Sequence, residues 1–165
     1  MSKAVLISIR PKWCEKIASG KKTIEIRKTR PKLNTPFRVY IYCTLPKYPH
    51  EDFIATDYPR PQFYGGGKVI GEFICERIAL IAYDGGELSS TTNAAFSPAT
   101  CLTQSEIIAY IGDKGRCYGW HMSDLCIYDQ PKGLDEFTRL RETKFGSEPV
   151  TIKRPPQSWC YVEES

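Results

Sequence analysis

The chain has 165 residues, of which 41% are hydrophobic and 25% charged, a composition that suits one soluble globular domain with a real core. No apolar run approaches the roughly 18 residues needed to span a bilayer, and the apolar stretch within Met1–Arg10 is too short for a signal peptide, so the expectation is a cytoplasmic protein without a membrane partner. The net charge of +4 is unevenly spread: residues 1–40 hold eleven Lys/Arg and two Asp/Glu, a net +9, and the rest hold twelve and seventeen, a net −5. A one-sided basic segment favours a polyanionic partner such as nucleic acid.

Ala4–Ile9 reads as a buried first strand, ended by Arg10-Pro11. Pro11 suits the first turn of a helix, and Lys12–Ser19 follows as a short one. Trp13 and Ile17, and Cys14 and Ala18, are four apart and share an apolar side. Trp13 is then core or the wall of a cleft. Gly20 can take a left-handed helix cap. The stretch after it, Lys21-Lys-Thr-Ile-Glu-Ile-Arg-Lys-Thr-Arg30, alternates with period two, so Thr23, Glu25 and Arg27 share one strand face and Ile24 and Ile26 point to the core. Helix end, tight turn and charged strand meet within a few residues. That juxtaposition can crowd Lys21, Lys22, Glu25 and Arg27 around one concavity.

Residues 31–36 form a turn between two prolines. Phe37–Thr44 alternates again, with Arg38, Tyr40, Tyr42 and Thr44 on one face, where a tyrosine beside arginine suits base stacking as well as ordinary strand packing. Residues 46–67 are rich in Pro, Gly and aromatics and read as a long loop packed onto the domain. Residues 68–81 are the longest strand candidate, with Gly71 marking a bulge or bend of the kind a barrel corner needs. A second polar loop covers about 84–100. Thr103 and Glu106 make a capping box for a helix ending near Ile111, and 112–115 is a turn. Residues 117–129 are another long strand, with His121 and Ser123 on one face and Trp120 and Asp124 on the other. Residues 131–137 suit a one-turn helix, 139–149 a polar connection, and 154–162 an aromatic terminal strand containing Trp159.

Seven cysteines include no Cys-x-x-Cys pair, and His50 and His121 are the only histidines. Metal-ligand spacing is absent, so no metal or other cofactor is expected. Cys75, Cys117, Cys126 and Cys160 lie in apolar strand-like runs, where a cysteine usually serves as a small buried hydrophobe. About six strands, several long and bent, with two or three short helices suggest an α+β protein: a small mixed β-barrel with helices covering its ends.

Gly20, Lys22, Glu25 and Arg27 reproduce the Gly-x-Lys-x-x-Glu-x-Arg signature of ASCH domains. The order of the surrounding elements agrees along essentially the whole chain, which resembles a single ASCH domain with a PUA-like fold. The Tyr118-Gly-Trp-His-x-Ser-Asp-Leu125 run and the Arg154–Tyr161 ending resemble small bacterial and prophage-encoded members. The resemblance implies a cleft that binds RNA or a nucleotide, lined by Lys22, Glu25 and Arg27. Some members of the family are amidohydrolases acting on acylated cytidine nucleosides, and others have been described as ribonucleases.

Three classes of function follow. As a binding module, the protein would meet phosphates with Arg10, Lys21, Lys22, Arg27 and Arg30 and stack bases on Trp13, Tyr42, Trp120 or Trp159. As a hydrolase of nucleoside-type substrates, it would use Lys22 and Glu25 as acid and base. The amidohydrolase members carry threonine where Glu25 stands, however, and a carboxylate raises rather than lowers the proton affinity of a neighbouring lysine. As a ribonuclease, it would assemble Lys22, Glu25, Arg27, Tyr42, His121 and Ser123 around the scissile phosphate, with His121 titrating near neutrality. RNA or nucleotide binding asks least of the residues present. A prophage accessory role without nucleic acid ranks third, and nothing in the residues specifies an oligomeric state.

Overall fold

A computed structural model describes residues 2–45 and 66–165. The loop expected at 46–67 lies outside the described residues except for Gly66 and Gly67. Among the described residues there are nine strands: β1 (Lys3–Ile9), β2 (Ile24–Arg27), β3 (Phe37–Cys43), β4 (Lys68–Asp84), β5 (Glu87–Ser90), β6 (Arg116–Lys132), β7 (Thr138–Thr143), β8 (Gly146–Thr151) and β9 (Trp159–Glu163). The α-helices among the described residues are α1 (Pro11–Ala18) and α2 (Gln104–Ile111). α2 carries the expected capping box: the Thr103 hydroxyl accepts from Glu106 N–H at 3.1 Å, and the Glu106 carboxylate accepts from Thr103 N–H at 3.1 Å.

The α+β character and the mixed sheet stand, but the barrel does not. Strand order is β2-β6-β4-β3-β1-β9, with β5 pairing β4, and β7-β8 form a separate hairpin. Among the described residues β2 pairs only with β6 and β9 only with β1, so the sheet ends in two edges and is open. Closure would require those edges to pair with each other, which amphipathic alternation within a strand does not dictate. β1 and β3 run parallel, joined by a crossover that contains α1 and β2.

The chain divides into two compact units. The first comprises Met1–Glu15, Phe37–Phe73 and Leu125–Ser165. Ala4, Leu6, Tyr40, Tyr42, Val69, Phe137, Ile152 and Val162 form a core within it, and the rings of Tyr40 and Phe137 meet edge to face at 4.9 Å. Gly71 lies here, at a close approach and not at a corner. A Cβ on it would fall 2.4 Å from the Cys126 carbonyl oxygen, so only glycine lets β4 and β6 come together there. Cys126 itself is exposed, contrary to the expected buried role, whereas Cys75 and Cys117 are buried and Cys160 is partly so.

The second unit comprises Lys16–Pro36 and Ile74–Asp124. Ile24 and Ile26 are buried with Ala79, Ile81, Ala94, Ala95, Ile107, Ile111 and Cys117, which seats α2 on one face of β2. Gly119 belongs to that packing, because a Cβ on it would meet the Ala94 Cβ at 3.1 Å and the Ile24 Cγ2 at 3.3 Å. The region expected as a loop at 84–100 holds β5 and two short 3-10 turns, Ala94–Phe96 and Pro98–Thr100. Likewise the polar connection at 139–149 is the β7-β8 hairpin, exposed along nearly its whole length.

Candidate functional site

The charged cluster begins where α1 ends. Gly20 adopts φ +80°, its N–H bonds the Ile17 carbonyl at 3.0 Å, and Lys22 N–H bonds the Lys16 carbonyl at 3.0 Å. The first of these is the C′-to-C2 bond of a glycine-terminated helix, and the second turns the chain directly into β2. Thr23 continues the anchoring: its N–H donates to the Ala99 carbonyl at 2.9 Å and its carbonyl accepts from Met122 N–H at 2.9 Å.

Lys22 is turned inward and is 2% exposed. Its Nζ donates to the Thr100 carbonyl at 2.6 Å and stands 3.7 Å from Glu25 Oε1. Glu25 is also buried, and its Oε1 accepts from Ile26 N–H at 2.9 Å. Its other oxygen is 3.6 Å from Arg27 Nη2. Lys22, Glu25 and Arg27 therefore form a cation–carboxylate–cation chain whose solvent access increases toward Arg27. Burial pushes the Lys22 pKa below its ordinary value; Glu25 and Cys101 oppose that shift, and Arg27 adds to it. The sign expected for the Glu25 effect is right, but desolvation outweighs it.

Three further groups complete this corner. Thr100 is fully buried, with its hydroxyl within 3.1–3.2 Å of the Ser97 and Leu102 carbonyls, which stiffens the turn that presents the Lys22 acceptor. Cys101 takes φ +58°, unusual for a residue with a side chain, and its thiol lies 3.6 Å from the Lys21 carbonyl. Tyr110, on α2, lies under Lys28, whose Nζ is 5.1 Å from the ring centroid; burial raises the tyrosine pKa, and Arg27 opposes the shift. None of these three was singled out by sequence, because a polar turn and a helical tyrosine acquire their neighbours only through the fold.

The remaining candidates fall in both units. Lys21 is exposed beside the cluster. Trp120 pairs opposite Glu25 in the β2-β6 ladder but has no exposed surface, so its ring offers no face to a base. His121 pairs opposite Ile24 and hence projects to the face opposite Glu25. It is buried, with Nε2 3.0 Å from the Thr92 hydroxyl. Burial lowers its pKa, helped by Arg77 and opposed by Glu76. The Ser123 hydroxyl donates to the Ile74 carbonyl at 3.4 Å. Glu25 and His121 thus project to opposite faces of the β2-β6 ladder. Arg10, Trp13, Tyr42 and Trp159 belong to the first unit. There Arg10 is exposed, its carbonyl starting α1, and Trp13 packs under Lys12 with Nζ 4.5 Å from the ring centroid. Tyr42 is 6% exposed and joins the core, where burial raises its pKa. Trp159 meets Tyr161 edge to face at 5.3 Å.

Residues 7–44, which contain the whole Lys22–Glu25–Arg27 chain, match the ASCH domain family model. Three crystal structures of an ASCH protein from Zymomonas mobilis share the fold. The first aligns at 20% identity with a TM-score of 0.56, covering 98% of this chain and 88% of the other. A tyrosine-to-phenylalanine variant of that protein gives 20% and 0.57, with 99% and 92% covered. A serine-to-alanine variant gives 19% and 0.56, with 98% and 89% covered. No curated protein matches the sequence. Among the described residues, no group of three or more His, Cys, Asp or Glu is placed to hold a metal ion, and no helix is long and apolar enough to cross a membrane.

Proposed function

We propose that this protein binds RNA or a nucleotide through the surface around Lys22, Glu25 and Arg27. The observation that carries this reading is the cation–carboxylate–cation chain inside the ASCH-matched segment, flanked by exposed Lys21, Lys28 and Arg30. In it, Lys22 and Glu25 hold the turn at Thr100 and orient Arg27, whose partly exposed guanidinium meets phosphate together with Lys21. Tyr110 replaces Trp120 as the aromatic beside the cluster. The same reading takes the chain as one ASCH-type domain of the small bacterial or prophage-encoded kind, acting in the cytoplasm.

The test is single-stranded RNA binding measured across a salt series. Removing one phosphate-binding cation, with Lys21→Ala or with Arg27→Ala, should flatten the slope of log affinity against log salt by about 0.7. Affinity indifferent to salt, or slopes unchanged in both variants, sinks the phosphate-binding reading.

One observation favours a second reading, hydrolysis of a nucleoside-type substrate. Burial lowers the Lys22 pKa, which enlarges the share of neutral amine available as a base. Incubation with acylated cytidine or with RNA, comparing wild type with Lys22→Ala and Glu25→Ala, decides it. Turnover unchanged in both variants removes this cluster as the catalytic centre.

A further inference from the structure

The first unit carries a groove of about 540 Å³ whose lining residues all belong to that unit. We propose that it is a binding site for a nucleoside monophosphate, with the base against Trp159 and the phosphate toward Lys3 and Arg139. The volume falls within the range of small-ligand pockets, roughly 300–1,000 Å³.

One wall is β9, the edge strand of the large sheet. Val162 and Cys160 belong to the core cluster or pack against it, so Trp159 and Tyr161, one residue out of step, share the opposite face. Their rings are half-buried and stand at 82° to each other. A perpendicular pair forms a corner. A planar ring laid offset on one aromatic meets the edge of the other, and both arrangements are favourable for a base. An aliphatic ligand would gain apolar burial there but no ring stacking.

The charges argue for a phosphate, and for a single one. Lys3 holds its Nζ 5.2 Å from the Tyr161 centroid, which places a cation at the aromatic corner. Arg139, on β7, is exposed and offers a planar fork suited to phosphate oxygens. Glu142 and Glu163 line the groove as well. One Glu163 oxygen accepts from the Thr138 hydroxyl at 2.7 Å, and one Glu142 oxygen accepts from the Ser147 hydroxyl at 2.6 Å. The second oxygen of each suits ribose hydroxyls or an exocyclic amine. With two carboxylates in the same groove, the two cations can face one phosphate group but not the larger charge of a triphosphate. An extended peptide adding to the β9 edge fits less well, because the Thr138–Glu163 bond lays β7 alongside one end of that strand.

The experiment is calorimetric titration of the full-length protein with adenosine and cytidine monophosphates, with ribose 5-phosphate as the control. It is run on wild type and in an Arg27→Ala background, so that ligand held at the Lys22 cluster is told apart from ligand held in the groove. Saturable nucleotide binding that persists with Arg27→Ala and weakens tenfold or more with Trp159→Ala and with Arg139→Glu is the expected result. Should Trp159→Ala fail to fold, the exposed Arg139→Glu decides alone. Binding untouched by these groove variants overturns the proposal. So does ribose phosphate binding as tightly as the nucleotides, or binding of an extended peptide in place of nucleotides.

Discussion

Replacing Glu25 by glutamine isolates the energetics of the charged chain. The substitution keeps the shape and the acceptor for Ile26 N–H but removes the negative charge between Lys22 and Arg27. At the observed 3.7 Å, two unit charges attract by roughly 4 kcal/mol at an effective dielectric of 20, before desolvation is subtracted. Lys22 retains its bond to the Thr100 carbonyl, and Arg27 retains partial access to solvent, so the loss falls at the low end of that for breaking a buried pair, about 3 kcal/mol. With an m-value of about 2 kcal/mol/M, the urea midpoint should drop by about 1.5 M at neutral pH.

The pH dependence supplies the sharper check. Burial already holds the Lys22 pKa below its ordinary 10.5, so the unfolded chain binds more protons there, and stability rises with pH between the lowered value and 10.5. Without the Glu25 charge, the lysine pKa falls further and that window widens downward. The deficit of Glu25→Gln should therefore shrink as pH is raised from 7 toward 10. In the same background, Lys22→Met should recover part of the loss at pH 7, because it removes a buried charge that has lost its carboxylate. A deficit below about 1 kcal/mol that is flat with pH refutes the reasoning: the pair would then behave as an exposed one.

Gly71→Ala should destabilise by about 3 kcal/mol or more in a urea melt, since its Cβ would lie 2.4 Å from a backbone oxygen that cannot rotate away. An exposed-site cost of a few tenths would show that the two strands can part. For His121, buried against the Thr92 hydroxyl with a folded pKa below 6.5, the contribution to stability is full above 6.5 and is lost as pH falls through the lowered value. His121→Gln should abolish that acid-side slope, and an unaltered slope would place it on another group.

Several elements were legible because local chemistry alone determines them. Thr103 and Glu106 cap α2 through bonds that span three residues. Ile24 and Ile26 are buried because period two leaves them one face. The β7-β8 hairpin is not legible in the sequence because both its faces are wet, so no hydrophobic alternation marks it. Trp120 and Trp159 look alike as strand aromatics, yet one is sealed in the core and the other stands half-open on an edge strand. That distinction belongs to the neighbouring elements. The burial of Lys22 is of the same kind. Nothing within Gly20–Arg30 announces that a turn 78 residues later supplies the carbonyl that receives its ammonium.

That carbonyl also makes Lys22→Arg the variant that separates binding from turnover. Arginine keeps the positive charge but stays protonated at any working pH, so it cannot serve as a base. If Lys22 contributes only a cation that ties Glu25 to the Thr100 turn, Lys22→Arg should retain RNA or nucleotide affinity. A guanidinium is bulkier than an ammonium, and at 2% exposure with a 2.6 Å hydrogen bond the site has little room, so a packing cost of about 1–3 kcal/mol should appear in the melt. If instead the neutral amine acts on a substrate, Lys22→Arg should abolish turnover while affinity survives. Measuring affinity, stability and turnover on the same preparation keeps these effects apart. Full turnover in a folded Lys22→Arg protein would rule out proton transfer by Lys22 and leave it as the anchor of the turn.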